Sequence, residues 1–369
     1  MFLFSESARD GRRRFAAAHG VLEQAIRDRA FPGAAYGILF NGELVALEAV
    51  GQFTYDATSP AVTPSTVFDL ASVTKVVATT STAMLLYDRG ALSLDAHLGD
   101  ILPEFIAGAV PDSPRRRVTL RSLLAHSSGL PAYVRLFDQH RSPQAMLDAL
   151  LHLPLEAEPG TRAEYSDLGF MLLGRALEVL SGKSLSSLFD SEIAAPLNLE
   201  TTRFNPPDDL RGLIPPTEKD TTFRHRIIQG EVQDENCFAL GGVAGQAGLF
   251  ANALDVLRFA ACILDAGKAP GGEQLFRPET VRFFATRQTE PVGTSRALGW
   301  DTPSQPSSSG KFFSDQSIGH LGYAGASLWI DPARRLAVAL LTNRTWPDRA
   351  NKAIRKIRPI FHDAIRAGL

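Results

Sequence analysis

The run AAYGILF at 34–40, the pair NG at 41–42 and the run ELVALEAV at 43–50 decide the fold. Two β-rich segments joined by Asn41-Gly42 read as a hairpin, because a two-residue turn needs positive φ at both central positions and Asn-Gly supplies it. Upstream, Phe15, Ala18, Leu22, Ala25 and Ile26 recur at helical spacing until Phe31-Pro32-Gly33 stops them. Far downstream, strand-like runs at 326–330 and 336–342 meet at Asp331-Pro332, and 350–367 predicts a closing helix with basic residues among apolar ones. In between, helices are expected at 74–89 (ended by Gly90), 120–125, 168–180 (stopped by Ser181-Gly182), 253–265 and 278–284. The segment 203–235, with two Pro-Pro pairs, reads as a long wrapping loop, and 302–317 as an exposed Pro/Ser-rich connection. The expected fold class is therefore α/β in the two-lobed α+β sense. An antiparallel sheet with N- and C-terminal helices comes from 1–70 and 250–369, and a mainly helical lobe from 71–249. The active site is expected between the two.

Composition excludes several classes. The chain has 369 residues, 44% hydrophobic and 21% charged, enough to bury a substantial core. Lys plus Arg number 38 and Asp plus Glu 40, a net charge of −2, which gives a nucleic-acid or anionic-membrane partner no electrostatic support. Cys237 and Cys262 have no CxxC partner and read as buried thiols. The longest uncharged stretch, 236–254, holds four glycines and is not a membrane span. The four-residue apolar start is too short for a secretory leader, so a cytoplasmic location is expected, or a periplasmic one if a leader has been removed. Without HExxH or a cysteine pair, no metal and no cofactor are expected.

Three short motifs carry chemistry. Ser72-Val73-Thr74-Lys75 opens the 74–89 helix, and residues three apart share a face, so the Ser72 hydroxyl and the Lys75 amine can meet. A desolvated lysine loses proton affinity and can act as a base. The plainer reading is an N-capping serine followed by a surface lysine. Tyr165-Ser166-Asp167 precedes the 168–180 helix: Asp167 could be its N-cap and Tyr165 a core aromatic, or the phenol could shuttle protons with its pKa lowered by the Lys75 ammonium. His320-Leu321-Gly322-Tyr323 enters a strand-like run, where glycine lets a substrate approach the backbone and an edge N–H could complete an oxyanion hole with that of Ser72.

The order SxxK, YS(N/D), (K/H)xG resembles the penicillin-recognising serine hydrolases: class C β-lactamases, penicillin-binding proteins and family VIII esterases. FDLASVTK (68–75), LDAHLGDILPEF (94–105), VTLRSLLAHSSGLP (118–131), YSDLGFMLLGRALEVLSGKSL (165–185) and GHLGYAGASLWIDP (319–332) are similar to this family's text. The resemblance implies a β-lactamase/transpeptidase-like fold and an acyl-enzyme on Ser72, with Lys75 and Tyr165 sharing the proton transfers. The Ser72 and Tyr323 amides would form the oxyanion hole, with Asp167, His320 and Gly322 beside the substrate and Ser127-Ser128-Gly129 near the cleft. The substrate would be a small molecule or a muropeptide, and the oligomeric state is left open. Asp167 replaces the family's commoner Asn and His320 its commoner Lys. Both weaken recognition of a substrate carboxylate at that spot and suit esters or amides lacking one there.

Gly230-Glu231-Val232-Gln233-Asp234-Glu235-Asn236 followed by FALGGVAGQAGLF (238–250) resembles a subgroup that includes an N-acetylmuramoyl-L-alanine amidase, with Gln233 and Gln246 standing where that pattern has histidines. The alternative readings are a cell-wall peptide hydrolase (such an amidase or a D-Ala-D-Ala carboxypeptidase) and a non-catalytic muropeptide or penicillin sensor. Gly182-Lys183-Ser184 lacks the rest of a P-loop, no GxSxG elbow is present, and Arg115-Arg116-Arg117 reads as a solvated loop.

Overall fold

In the computed structural model, which describes residues 10–140 and 142–369, Asn41 and Gly42 take φ of 52° and 84° and turn strand β1 (Gly33–Phe40) into β2 (Glu43–Gly51). The reading of the apolar start at residues 1–4 lies outside the described residues. The sheet is completed from the other end of the chain by β3 (Ile318–Leu321), β4 (Ser327–Asp331) and β5 (Leu336–Thr342), all antiparallel, in the order β2-β1-β5-β4-β3. Strand β1 pairs with β5 over its length, from Ala34 opposite Thr342 to Phe40 opposite Leu336.

Side chains alternate across these strands, and here both faces are buried. Tyr36, Ile38, Val338 and Leu340 pack with Phe15, Leu22, Phe361 and Ile365 of helices α1 (Ala16–Arg27) and α9 (Ile354–Ile365) and the turn before α1. Ala35, Leu39, Ala337, Ala339 and Leu341 face the other way, against Leu257 and Phe259 of α7 (Ala253–Leu264). That second core runs on without a break into the helices between the strands: α2 (Ser81–Asp88), α3 (Leu120–Leu124), α4 (Pro143–His152) and α5 (Asp167–Ser181). The short α6 (Glu235–Ala239) and α8 (Pro278–Ala285) follow. No described helix is long and apolar enough to cross a membrane.

Three local expectations need correction. The 203–235 segment is not all loop: Arg203–Phe204 joins Phe68–Asp69 and Leu249–Ala251 in a small sheet, and Glu218–Asp220 pairs with Arg226–Ile228. Ser166, not Asp167, caps α5, accepting from the Gly169 amide at 3.0 Å. Asp167 becomes the first helical residue, which frees its carboxylate for another partner. Arg115 is not solvated: its guanidinium donates to the carbonyls of Phe105, Leu151 and Leu153 and braces the helical lobe. Cys237 and Cys262 are free and buried.

Candidate active site

The helix that begins at Ser72 is wound unevenly. Ala71–Val73 is a 3₁₀ turn, Lys75–Thr80 is π-helical, and regular α-geometry starts only at Ser81. Widened turns of this kind are rare and concentrate at functional positions. Ala71, directly before Ser72, sits at φ 45°, a left-handed conformation costly for a residue with a Cβ. The Asp69 carboxylate holds it there. One oxygen accepts from the Ala71 amide at 2.8 Å and the other from the Gln233 amide at 2.7 Å, which ties the 230–236 segment to the turn that presents Ser72.

Lys75 is fully buried, and its three N–H donors meet three acceptors: Ser72 Oγ at 3.0 Å, Asp167 Oδ1 at 2.6 Å and the Gln246 carbonyl at 3.1 Å. Burial lowers its proton affinity, while the Asp167 carboxylate works against that and offsets only part of it. The amine also lies 4.8 Å from the centre of the Tyr165 ring. The Tyr165 phenol lies close enough to both the Ser72 hydroxyl and the Asp167 side chain to feel each. Its pKa moves opposite to the sequence expectation. Burial, and then the Asp167 charge, push it well above 10, and the nearby Ser72 hydroxyl and Arg296 do not compensate. Tyr165 is therefore a neutral hydroxyl, able to relay a proton but not to rest as phenolate.

His320 lies across from Tyr165, ring centres 5.9 Å apart. Burial, then the charges of Lys75 and Arg296, lower its pKa well below 6.5, so it is neutral at pH 7. Its Nδ1 donates to the Leu321 carbonyl at 2.9 Å, and its buried Nε2 has no partner among the described residues. Gly322 is required where it is: a Cβ there would lie 2.3 Å from the Leu70 carbonyl oxygen, so only glycine lets this strand end close on the turn before Ser72. The amides of Ser72 and Tyr323 have no acceptor among the described residues, which leaves two N–H donors for a developing oxyanion.

Ser72, Tyr165, Asp167, His320, Gly322 and Tyr323 all line one cleft of about 570 Å³, with Lys75 beneath it. Ser127, Ser128 and Gly129 do not reach it. Two contributors went unnoticed in the sequence. His126 packs against Tyr165 with the rings tilted and their centres 4.7 Å apart, and accepts the Ser166 amide on Nδ1 at 3.1 Å; it lies inside the VTLRSLLAHSSGLP stretch, which was its signal. Arg296 sits 5.4 Å from the Tyr165 ring centre and belongs to no motif, so nothing in the sequence marked it. Beside them Asp234 caps α6 through the Cys237 amide and is pushed up to about 7 by burial and by the Asp167 charge. Among the described residues no group of three or more His, Cys, Asp or Glu is placed to hold a metal.

The family model described as Beta-lactamase matches residues 18–360. A protein of Escherichia coli O157:H7 named "Putative D-alanyl-D-alanine carboxypeptidase" is 33% identical over 356 residues, 86% of this chain and 79% of that protein. The N-acetylmuramyl-L-alanine amidase of Bacillus subtilis (strain 168) is 32% identical over 352 residues, 85% of this chain and 77% of that one. Among solved structures, EstCE1, a hydrolase with promiscuous acyltransferase activity, superposes with a TM-score of 0.75 at 24% identity, covering 95% of this chain and 99% of that one, a likeness of fold.

Proposed function

This chain belongs to the beta-lactamase family, and from that premise we propose a class C-like serine hydrolase in which Ser72 is acylated, acting on esters and on the amide bonds of cell-wall peptides. The observation that carries the reading is the meeting of Ser72 Oγ, Lys75 Nζ and the Tyr165 phenol at the floor of a cleft, with Lys75 buried and 3.0 Å from the hydroxyl. The names of the carboxypeptidase and amidase relatives support the cell-wall substrate class.

Ser72 Oγ attacks the substrate carbonyl carbon and gives its proton to Lys75 in its neutral form, whose share burial of the amine raises. The C–O bond forms as the carbonyl π pair moves onto oxygen, where the Ser72 and Tyr323 amides receive it. Collapse of this intermediate breaks the bond to the leaving group, which takes the Tyr165 hydroxyl proton. Lys75 reprotonates Tyr165 and is neutral again. Water then repeats the sequence on the acyl-enzyme and restores Ser72. Burial of Lys75 serves the first step, because an amine held as ammonium cannot accept the proton.

Intact-protein mass spectrometry during turnover of a slow ester tests this. A single acyl adduct that maps to the peptide containing Ser72 and decays on standing is expected. Hydrolysis with no adduct on that peptide would refute the assignment of the nucleophile.

Asp167→Asn gives a second expectation. The carboxylate raises the proton affinity of Lys75, so removing it leaves burial opposed only by Asp234 and lowers the Lys75 pKa further. The acid limb of kcat/KM, which reports the fraction of neutral amine, is expected to move to lower pH. A pH–rate profile measures this, and an unmoved limb or a shift to higher pH would show that Lys75 is not the group titrating there.

A further inference from the structure

Asp69 is a buried carboxylate that takes no part in the reaction above. It is 2% exposed, and its two oxygens accept from the amides of Ala71 and Gln233. Arg224, the cation whose charge reaches it, is committed elsewhere: to the Asp220 carboxylate at 3.2 Å and to the Val232 and Gln233 carbonyls, each at 2.7 Å. Burial pushes the Asp69 carboxyl up to about 6, against the pull of the two amides and of Arg224, so at pH 7 it is ionised. Burying a charge with no counter-ion in contact is expensive. A neutral asparagine in its place would offer one acceptor atom, and its other end would be a donor facing an amide that also donates.

The turn that carries Ser72 is pinned to Leu249 at both ends. The Leu70 amide donates to the Leu249 carbonyl at 2.9 Å, and Thr74 Oγ1 accepts from the Leu249 amide at 3.1 Å. Between these pins Ala71 sits at φ 45°, the conformation an L-residue least readily holds, with its amide on Asp69. The other amide on Asp69 belongs to the facing wall, since Ala71 and Gln233 both line the cleft. That wall is itself braced: Gln233 Nε2 donates to Glu218 at 2.8 Å, and Glu218 holds Arg349.

We propose that Asp69 is a positioning residue for the nucleophile: its carboxylate holds Ala71 left-handed and ties it to Gln233, which aims the Ser72 hydroxyl at Lys75 and the Ser72 amide into the cleft. Without the second acceptor oxygen the turn is free to relax towards a negative φ at Ala71, and the residue that follows swings with it. A nucleophile displaced by about an ångström loses rate far more than affinity. The consequence for acylation rests on the hydrolase reading; the geometry of the turn does not. The competing account is that Asp69 only satisfies two buried amides. Its loss would then lower stability and leave the folded enzyme as fast as before.

Asp69→Asn, made both in the native chain and beside Ala71→Gly, separates the two. The burst of p-nitrophenolate from an ester gives the acylation rate constant and the half-saturating substrate concentration separately. In the native chain Asp69→Asn is expected to slow acylation at least about tenfold and to leave half-saturation within about threefold. Beside Ala71→Gly the same change is expected to cost less than about threefold, because glycine takes the left-handed angle unaided. A crystal structure of Asp69→Asn is expected to show Ala71 out of the left-handed region. Acylation at the native rate, an equal cost in both backgrounds, or an unmoved Ala71 would overturn the proposal. If Asp69→Asn alone does not fold, the double variant is expected to fold and to be acylated, and failure of both would overturn the proposal too. A moved turn with no acyl adduct in the wild type would sink the hydrolase reading alone. An adduct in the wild type with an unmoved turn in the variant would sink only the positioning role.

Discussion

Ser72→Ala is expected to lower kcat/KM for p-nitrophenyl esters by at least about a thousandfold, the scale on which loss of an activated nucleophile is felt when the rest of the site survives. The hydroxyl is half-exposed at the cleft floor, and its partners are the Lys75 amine and the Tyr165 phenol, so its removal deprives the core of nothing. The thermal midpoint should stay near that of the wild type. Steady-state hydrolysis with a melting curve on the same preparation measures both. Activity within tenfold of wild type would remove Ser72 from the mechanism, and a collapse in stability would mean that the turn built by Asp69 and Ala71 depends on the hydroxyl.

Lys75→Met is expected to cost at least about a hundredfold, the lower range for a positioned base. Methionine fills the buried channel without leaving a large void, so the loss reports chemistry more than packing. Lys75→Arg sharpens the test. Arginine keeps the positive charge beside Asp167 but cannot lose its proton, so it should be as inactive as methionine if Lys75 accepts the Ser72 proton. Retained activity in Lys75→Arg would mean that the residue supplies charge alone. Lys75→Met leaves a partly exposed Asp167 without its cationic partner, so melting curves must accompany the rates.

Much of this architecture was legible because its signals are local. Asn41-Gly42 specified a hairpin through two positive φ angles, and the apolar runs at 34–40 and 336–342 marked strands. The burial of both strand faces was less plain, since it depends on α7 and the terminal helices closing from opposite sides. Ser72 and Lys75 could be paired from helical spacing. Their contact with residues 165 and 167 came through resemblance, because no periodicity relates positions so far apart. What the sequence misjudged was electrostatic. The phenol of Tyr165 was expected to feel Lys75, but its burial and the carboxylate of Asp167, displaced from the cap by Ser166, reverse the shift. Arg115 looked solvated because three adjacent arginines look alike in a string, and only packing shows which one turns inward. The place of Arg355 and Arg358 in the cleft wall was hidden for the same reason: they were read simply as basic residues on a terminal helix.

The pairing of β1 with β5 has a consequence for biosynthesis. Tyr36 is made long before its neighbour Leu340, so β1 has no permanent partner on that side until residue 340 has been made. The emerging hairpin carries an open hydrogen-bonding edge throughout translation, a state that invites aggregation and slows folding. Truncations from the carboxyl end should therefore fail as whole molecules.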